Sequence, residues 1–540
     1  MLTARQARQA IGGGVLALTL VSLFVAIAVI ALLSWDTGRA GSRLMTAYTW
    51  RILFFTIWQA FLSTLLSVGL AVPVALALAR RPSFPGRIWI IRLMAVPMGL
   101  PVLIGALGLI GIWGRQGMAN QSLLAIGVSQ PVSIYGLSGI LIAHVFFNLP
   151  LATRLLLASL ERLPAEYWLI ASSLGMKPFS VFRLIEWPAL RRVAPGVAGL
   201  VYMLCATSFT LVLVLGGGPA ATTLEVAIYQ SLHFDFDPPR AIALAFLQIG
   251  VTTILLALIS VFPAPEAWGL TAGRLPRRFD GSGFGSKAWD AIVIAIAAVF
   301  LVLPLASIAI SGLHADLIRL ASSDIFVKAA ATSLSIALVS GLVAVGFSIL
   351  VINARSAISQ AASAGAGLKS LSAALAGLSS LVLLVPPVVL GTGWFLALRP
   401  MGDISRFAPI LVALVNALMA LPFAMRVIAP AMEAHRIRTG RLSASLGLAG
   451  WSRIRHIDFP VLIRPMLMAL SFAMALSLGD LGAVALFGSS DFTTLPWLVY
   501  NRLASYRSND ADGLALILGI ICLALTMIGT AGRERERPNA

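Results

Sequence analysis

Charge is scarce in this chain. Asp, Glu, Lys and Arg supply 11% of its 540 residues, against about 25% in soluble domains. That excludes a large water-soluble domain. Hydrophobic residues fill 59% of the chain, and the mean hydropathy is +0.94. Cysteine is nearly absent: Cys205 and Cys522 both lie inside apolar runs, which excludes a disulfide framework. The five histidines show no HxxxH or HExxH spacing, so no metal site is expected. No GxxxxGK[ST] phosphate loop occurs. The nearest string, GSGFGSK at 281–287, has the wrong spacing, so the chain is expected to bind no nucleotide or other cofactor itself. The net charge of +18 does not point to nucleic acid. The basic residues cluster in short loops between apolar runs, where they set membrane orientation.

What remains is apolar sequence. Twelve runs are long enough to cross about 30 Å of hydrocarbon: 12–34, 52–79, 91–113, 135–160, 194–216, 240–262, 288–311, 328–352, 371–398, 407–431, 466–488 and 511–530. Pro386 and Pro387 imply a kink in the ninth. The first, preceded by Arg5 and Arg8, is too long for a signal-peptide core and reads as a retained span. Basic loops alternate. Arg80, Arg81, Arg87 and Arg92 follow span two, and Arg162, Lys177, Arg183, Arg191 and Arg192 follow span four. Arg274, Arg277, Arg278 and Lys287 follow span six, and Arg436, Arg438, Arg441, Arg453, Arg455 and Arg464 follow span ten. All fall on one side if both termini are cytoplasmic. The acidic loops with Glu225, Asp235 and Asp237, and with Asp491 and Asp510, then lie outside.

The chain repeats itself. LIASSLGMKPFSVFRLIEWPALRR (169–192) and RLSASLGLAGWSRIRHIDFPVLIR (441–464) align at an offset of 272, with Gly175, Pro188 and Arg192 over Gly447, Pro460 and Arg464. Leu149-Pro150 and Arg154 match Leu421-Pro422 and Arg426 at the same offset. Thr222-Thr223-Leu224 and Tyr229 match Thr493-Thr494-Leu495 and Tyr500 at 271. The expected organisation is an N-terminal half, 1–273, with a polar loop at 161–192, and a C-terminal half, 288–540, with its loop at 433–464. RLPRRFDGSGFGSK (274–287) links them. Six spans per half put both in the same orientation, a parallel repeat about the membrane normal. The expected fold is an all-α polytopic membrane protein of two pseudo-symmetric six-helix halves.

Each polar loop reads as a lever. Gly175 suits a left-handed helix cap. Phe179, Phe182 and Ile185 then recur at three-residue spacing, as do Trp451, Ile454 and Ile457, giving one apolar face of a short helix. That face is expected to pack on the spans while the other meets a partner. Pro188 and Pro460 are expected to end each segment. The pattern resembles the coupling loop of ABC-importer permeases, whose glycine stands thirteen residues before the closing proline, as in both copies here. The usual Glu-Ala-Ala letters are replaced by Leu169-Ile170-Ala171 and Arg441-Leu442-Ser443. The resemblance implies contact with an ATPase groove through Leu174, Gly175, Phe179, Phe182 and Pro188, and through Leu446, Gly447, Trp451, Ile454 and Pro460.

Longer strings narrow it. WGRQG (113–117), LIAHVFFNLPLATRLLL (141–157), LGGGPAATTLEVAIYQ (215–230), SLGDLGAVALFGSSDFTTLP (477–496) and SYRSND (505–510) resemble the fused permeases of thiamine and thiamine-pyrophosphate ABC importers. Fused ferric-iron permeases share the layout. The resemblance implies a type I importer permease, multi-pass in a bacterial cytoplasmic membrane. It also implies a homodimeric cytoplasmic ATPase that carries ATP and Mg, and a periplasmic substrate-binding protein, with lipid as the surroundings and no catalysis by this chain.

Some residues are candidates for the substrate path. Asp480 falls within span eleven, where a central charge costs about 2.5–3.5 kcal/mol on insertion scales. It reads either as a gate or as a structural carboxylate; its counterpart is Ser208. Trp113, Trp394, Tyr229 and Tyr500 could meet a thiazolium cation or form an interfacial aromatic belt. Two other classes fit a duplicated membrane chain. An ion-coupled transporter needs an intramembrane relay of carboxylates or histidines, and a non-transporting scaffold needs neither.

Overall fold

The computed structural model describes residues 4–34, 46–115, 117–127, 133–261, 278, 281, 283–360, 365–402, 404–445, 452, 454–488 and 492–530. Among these residues it is helical, with no strand. The helices are α1 (Ala4–Ser34), α2 (Ala47–Arg80), α3 (Arg87–Leu93), α4 (Val96–Gly99), α5 (Val102–Trp113), α6 (Met118–Ala125), α7 (Leu137–Glu161) and α8 (Ala165–Ser173). There follow α9 (Pro178–Val181), α10 (Trp187–Ala206), α11 (Thr210–Leu215), α12 (Leu224–His233), α13 (Pro238–Ser260) and α14 (Phe284–Leu313). The remainder are α15 (Leu317–Ala321), α16 (Asp324–Gln360), α17 (Ala366–Leu384), α18 (Pro387–Leu398), α19 (Ala408–Ser445), α20 (Phe459–Gly479), α21 (Gly482–Phe487), α22 (Leu495–Ala504) and α23 (Ser508–Thr530).

Eleven stretches of the described residues are long and apolar enough to span a bilayer. The run at 371–398 is not among them. Pro386 and Pro387 do more than kink it: Pro386 caps α18 and Pro387 opens it, so α17 and α18 are separate helices. The run at 91–113 is likewise cut. Pro101 caps α5, and the spanning stretch is Val102–Ala125.

Packing divides the chain into two compact units, and the division does not follow the sequence repeat. One unit holds 45–227 and 250–314; the other holds 1–44, 228–249 and 315–540. In the first, α2, α7 and α10 pack together and α14 lies against α2 and α5. In the second, α16, α19 and α20 form the equivalent trio, and α1 lies against α16 and α18. The first span of each half is thus housed with the other half's bundle. Small residues permit these approaches. A Cβ on Gly108 would strike the Pro304 carbonyl of α14, and one on Gly393 would strike the Ala28 carbonyl of α1. The α16–α19–α20 seam is alanine-rich for the same reason, with Ala344, Ala420, Ala424, Ala469 and Ala473 buried.

A buried polar knot sits at the centre of each trio. In the first unit Ser63 Oγ pairs with His144 Nδ1 at 2.8 Å, Gln59 Nε2 donates to the Cys205 carbonyl at 2.9 Å, and Asn148 Nδ2 donates to Cys205 Sγ at 3.4 Å. In the second, Asn416 Nδ2 donates to Ser477 Oγ at 2.9 Å, and Ser477 Oγ donates to Ser340 Oγ at 3.4 Å. Asn416 and Ser477 stand at the repeat offset from His144 and Cys205. Polar groups in hydrocarbon need partners, and across helices they act as glue.

Candidate functional site

The first polar loop, 161–192, forms an elbow built around Gly175, and the loop at 433–464 is its counterpart. α8 ends at Gly175 with φ +59°, the left-handed conformation that glycine adopts without a Cβ clash. Gly175 N donates to the Ser172 carbonyl at 3.1 Å and Met176 N to that of Ala171 at 3.0 Å, the bonds of a Schellman cap. The chain turns back through α9. Trp168, Ala171 and Val181 are buried together, with Leu163, Met176 and Ile185 packed on them. This differs from the expected face. Val181 and Ile185 point inward, whereas Phe179 is exposed and Phe182 is half-buried with its ring 6.0 Å from Trp187. Leu174 and Leu184 are also exposed. The outward surface therefore carries apolar side chains beside the exposed Lys177 and Arg183, because the inner positions are taken up by contact with α8.

The prolines also differ from expectation. Pro188 does not end the segment; it lies in the first turn of α10 and is half-buried. A π turn, Phe182–Glu186, leads straight into that helix. Proline lacks the N–H and crowds the preceding turn, and the wider π turn makes room for it. A second π turn, Ile454–Asp458, lies at the same repeat position and leads into α20, with Pro460 in its first turn. Leu446, Gly447 and Trp451 lie outside the described residues, as does the Ile454 side chain.

Each π turn ends on a carboxylate that is held by a base. Arg278 of the linker donates from Nη2 to Glu186 Oε1 at 2.6 Å, with the two side chains 3% and 1% exposed. The same guanidinium lies 3.8 Å from the centre of the Trp168 ring, a cation–π stack. The linker thus grips both the inner wall and the end of the first elbow. In the second elbow Asp458, the counterpart of Glu186, lies 2.8 Å from His435 Nε2. The linker is tied down once more, Arg81 donating to the Gly281 carbonyl at 2.7 Å, and just beyond it Arg80 and Arg81 both donate to Asp290 of α14 at 3.1 and 3.0 Å. Sequence reasoning treated Arg278 as loop charge. The signal it passed over was the acid preceding Trp187-Pro188 and Phe459-Pro460 in both copies.

The substrate-path candidates fall in different places. Asp480 Oδ1 and Oδ2 accept from Gly482 N at 3.1 Å and Ala483 N at 3.2 Å. It caps α21 where the helix breaks after α20, which accounts for a carboxylate there without a ligand. Ser208 occupies the matching break between α10 and α11. Trp113 closes α5, partly exposed, and Trp394 on α18 packs on Phe24 of α1 with ring centres 4.9 Å apart. Tyr229 and Tyr500 come together: burial pushes the Tyr229 phenol up, and nearby Tyr500 adds to the shift. Tyr500 stacks on Trp497 at 5.7 Å. The Thr-Thr-Leu strings open α12 and α22, whose first N–H groups are capped in the same way. Thr56 Oγ1 accepts from Leu224 N at 3.0 Å, and Ser333 Oγ accepts from Leu495 N at 2.7 Å. Among the described residues no cluster of metal-binding side chains occurs.

Residues 71–263, which contain the first elbow, match the family described as binding-protein-dependent transport system inner membrane component. The chain is 49% identical over 481 residues to the thiamine transport system permease protein of Brucella abortus (strain 2308), covering 89% of this chain and 87% of that protein. It is 41% identical over 518 residues to the protein of the same name from Escherichia coli (strain K12), covering 95% and 94%. This chain belongs to the thiamine transport permease family. It is thus a multi-pass inner-membrane transport component and a permease subunit. A shorter relative matches part of the chain. The molybdenum transport system permease protein of Mycobacterium bovis (strain ATCC BAA-935 / AF2122/97) is 28% identical over 242 residues, which is 88% of that protein but 43% of this chain.

Proposed function

We propose that this chain is the transmembrane path of an ATP-driven importer that moves thiamine and thiamine phosphates into the cytoplasm. The observation that carries the substrate is the identity, over nearly the whole chain, to proteins named as thiamine permeases. The driving force is ATP hydrolysed, with Mg, on a separate homodimeric ATPase. The duplicated elbow supports this, because its exposed surface presents Leu174, Phe179 and Leu184, apolar side chains suited to a groove. Both elbows and both termini lie in the cytoplasm, in keeping with the alternation of basic loops. A periplasmic binding protein delivers substrate to the opposite face, where α12 and α22 lie.

Closure of the ATPase dimer draws the elbows together. The π turns run into α10 and α20 without a loop, so displacement at an elbow is passed to a span as rigid-body motion. Rocking of the bundles then switches the side to which the path opens. The test is uptake of labelled thiamine by proteoliposomes holding this chain, the ATPase and the binding protein. Accumulation is expected only with ATP on the ATPase side. Uptake that persists without the ATPase would overturn the reading in favour of an ion-coupled carrier.

A further inference from the structure

Among the described residues two non-glycine positions have a left-handed backbone, and both are aromatic: Phe236 at φ 50° and Tyr506 at φ 59°. They stand 270 residues apart, the offset of the helices that follow them and one less than that of α12 and α22. Phe236 follows α12 and stands two residues before α13; Tyr506 follows α22 and stands two residues before α23. Tyr506 occupies the Schellman position that Gly175 fills in the first elbow. Its N–H donates to the Leu503 carbonyl at 3.1 Å and that of Arg507 to Arg502 at 2.9 Å. At Phe236 the closure is one residue wider, from Asp237 N to the Ser231 carbonyl at 2.8 Å. Asp235 and Asp237 on either side both engage Arg240, so the turn is fixed.

Glycine is the residue such a cap favours, and a bulky side chain there is strained. Strain of this kind is ordinarily repaid by burial, but neither ring is buried: Phe236 is 80% exposed and Tyr506 is 97% exposed. Local preference is overridden twice without burial of either ring, which is how a functional position shows itself. An interfacial belt does not account for it. A belt position needs no left-handed backbone, and Trp50 and Trp187, about half exposed, have none.

We infer that Phe236 and Tyr506 are paired docking posts for the soluble binding protein, one from each half. This rests on the proposed function for its sidedness and its partner. The family depends on a binding protein by description, and Tyr506 lies at the far end of α20 and α21 from the second elbow. Exposed aromatics on a rigid turn suit such a contact, because they bury large area at little cost in lost rotamers.

The test uses the assembled complex in nanodiscs and titrates liganded binding protein against ATP turnover. The variants are Phe236→Gly, Tyr506→Gly, the double change, and Tyr506→Phe. Glycine relieves the backbone, so the double variant is expected to keep or raise its melting temperature and to leave basal ATP turnover unchanged. The binding-protein concentration for half-maximal stimulation should rise about tenfold or more, whereas Tyr506→Phe should behave as wild type. An unchanged titration in the double variant overturns the inference alone. A lowered melting temperature with an unchanged titration overturns it in favour of membrane anchoring. Absence of stimulation with the wild-type chain overturns the transport reading and the inference with it.

Discussion

Arg278 and Glu186 are almost sealed from solvent, so removing the arginine leaves a buried carboxylate without that partner. Arg278→Ala is expected to cost about 3–5 kcal/mol, read as a lowered unfolding midpoint in detergent. The paired change Glu186→Leu with Arg278→Met should recover much of that stability, because an apolar pair can replace a buried ion pair. Uptake should remain impaired in the double variant, because the linker no longer grips the elbow. Full uptake there would show that the clamp is structural only. Gly175→Val places a β-branched residue at φ +59°, a strain of about 1–2 kcal/mol. It should uncouple ATP turnover from uptake while the chain still inserts, which surface expression with a paired ATPase assay would check. The sequence placed Gly175 at its cap because glycine spacing and conformation are local. It could not place Arg278 on Glu186, because the partners are 92 residues apart and the signal of a matched acid was hidden by the change from Glu to Asp.

Helix identity was readable from hydrophobic runs, but prolines decided boundaries. Paired prolines made two helices of 371–398, while single prolines inside α2, α7 and α14 interrupt nothing. The three-residue spacing of Phe179, Phe182 and Ile185 assumed a regular α-helix. On such a helix that spacing drifts off one face, whereas Val181 and Ile185 stand four residues apart and share one, so they face inward and Phe179 faces out. Phe179→Ser with Leu184→Ser should therefore leave the melting temperature nearly unchanged and weaken copurification of the ATPase. Destabilisation without loss of the ATPase would place these side chains in a core instead. The polar knots predict a second asymmetry. Cys205→Ser imports the residue of the second copy and should change stability by less than about 1 kcal/mol. Asn416→Leu removes its bonds to Ser477 and should cost roughly 0.6–1.7 kcal/mol. Unfolding in lipid nanodiscs would compare them.

The repeat was the largest feature legible in the sequence, and it extends into side-chain contacts that no letter match displays. Ser63 and Ser340 hold the same place in the two trios. Thr56 and Ser333 cap the same helix start. The exchange of first spans between packing units was not legible, because an apolar run records that it is buried in lipid or protein and not which bundle it joins. The central claim is that the twin elbows carry force from ATP hydrolysis into the spans. It is tested most directly by ATP-driven thiamine uptake into proteoliposomes, with Gly175→Val and Gly447→Val combined in one chain beside wild type. The account predicts ATP-dependent accumulation by wild type and none by the double variant, although that variant inserts and its partner ATPase still hydrolyses ATP. Wild-type accumulation rates in the double variant would contradict it.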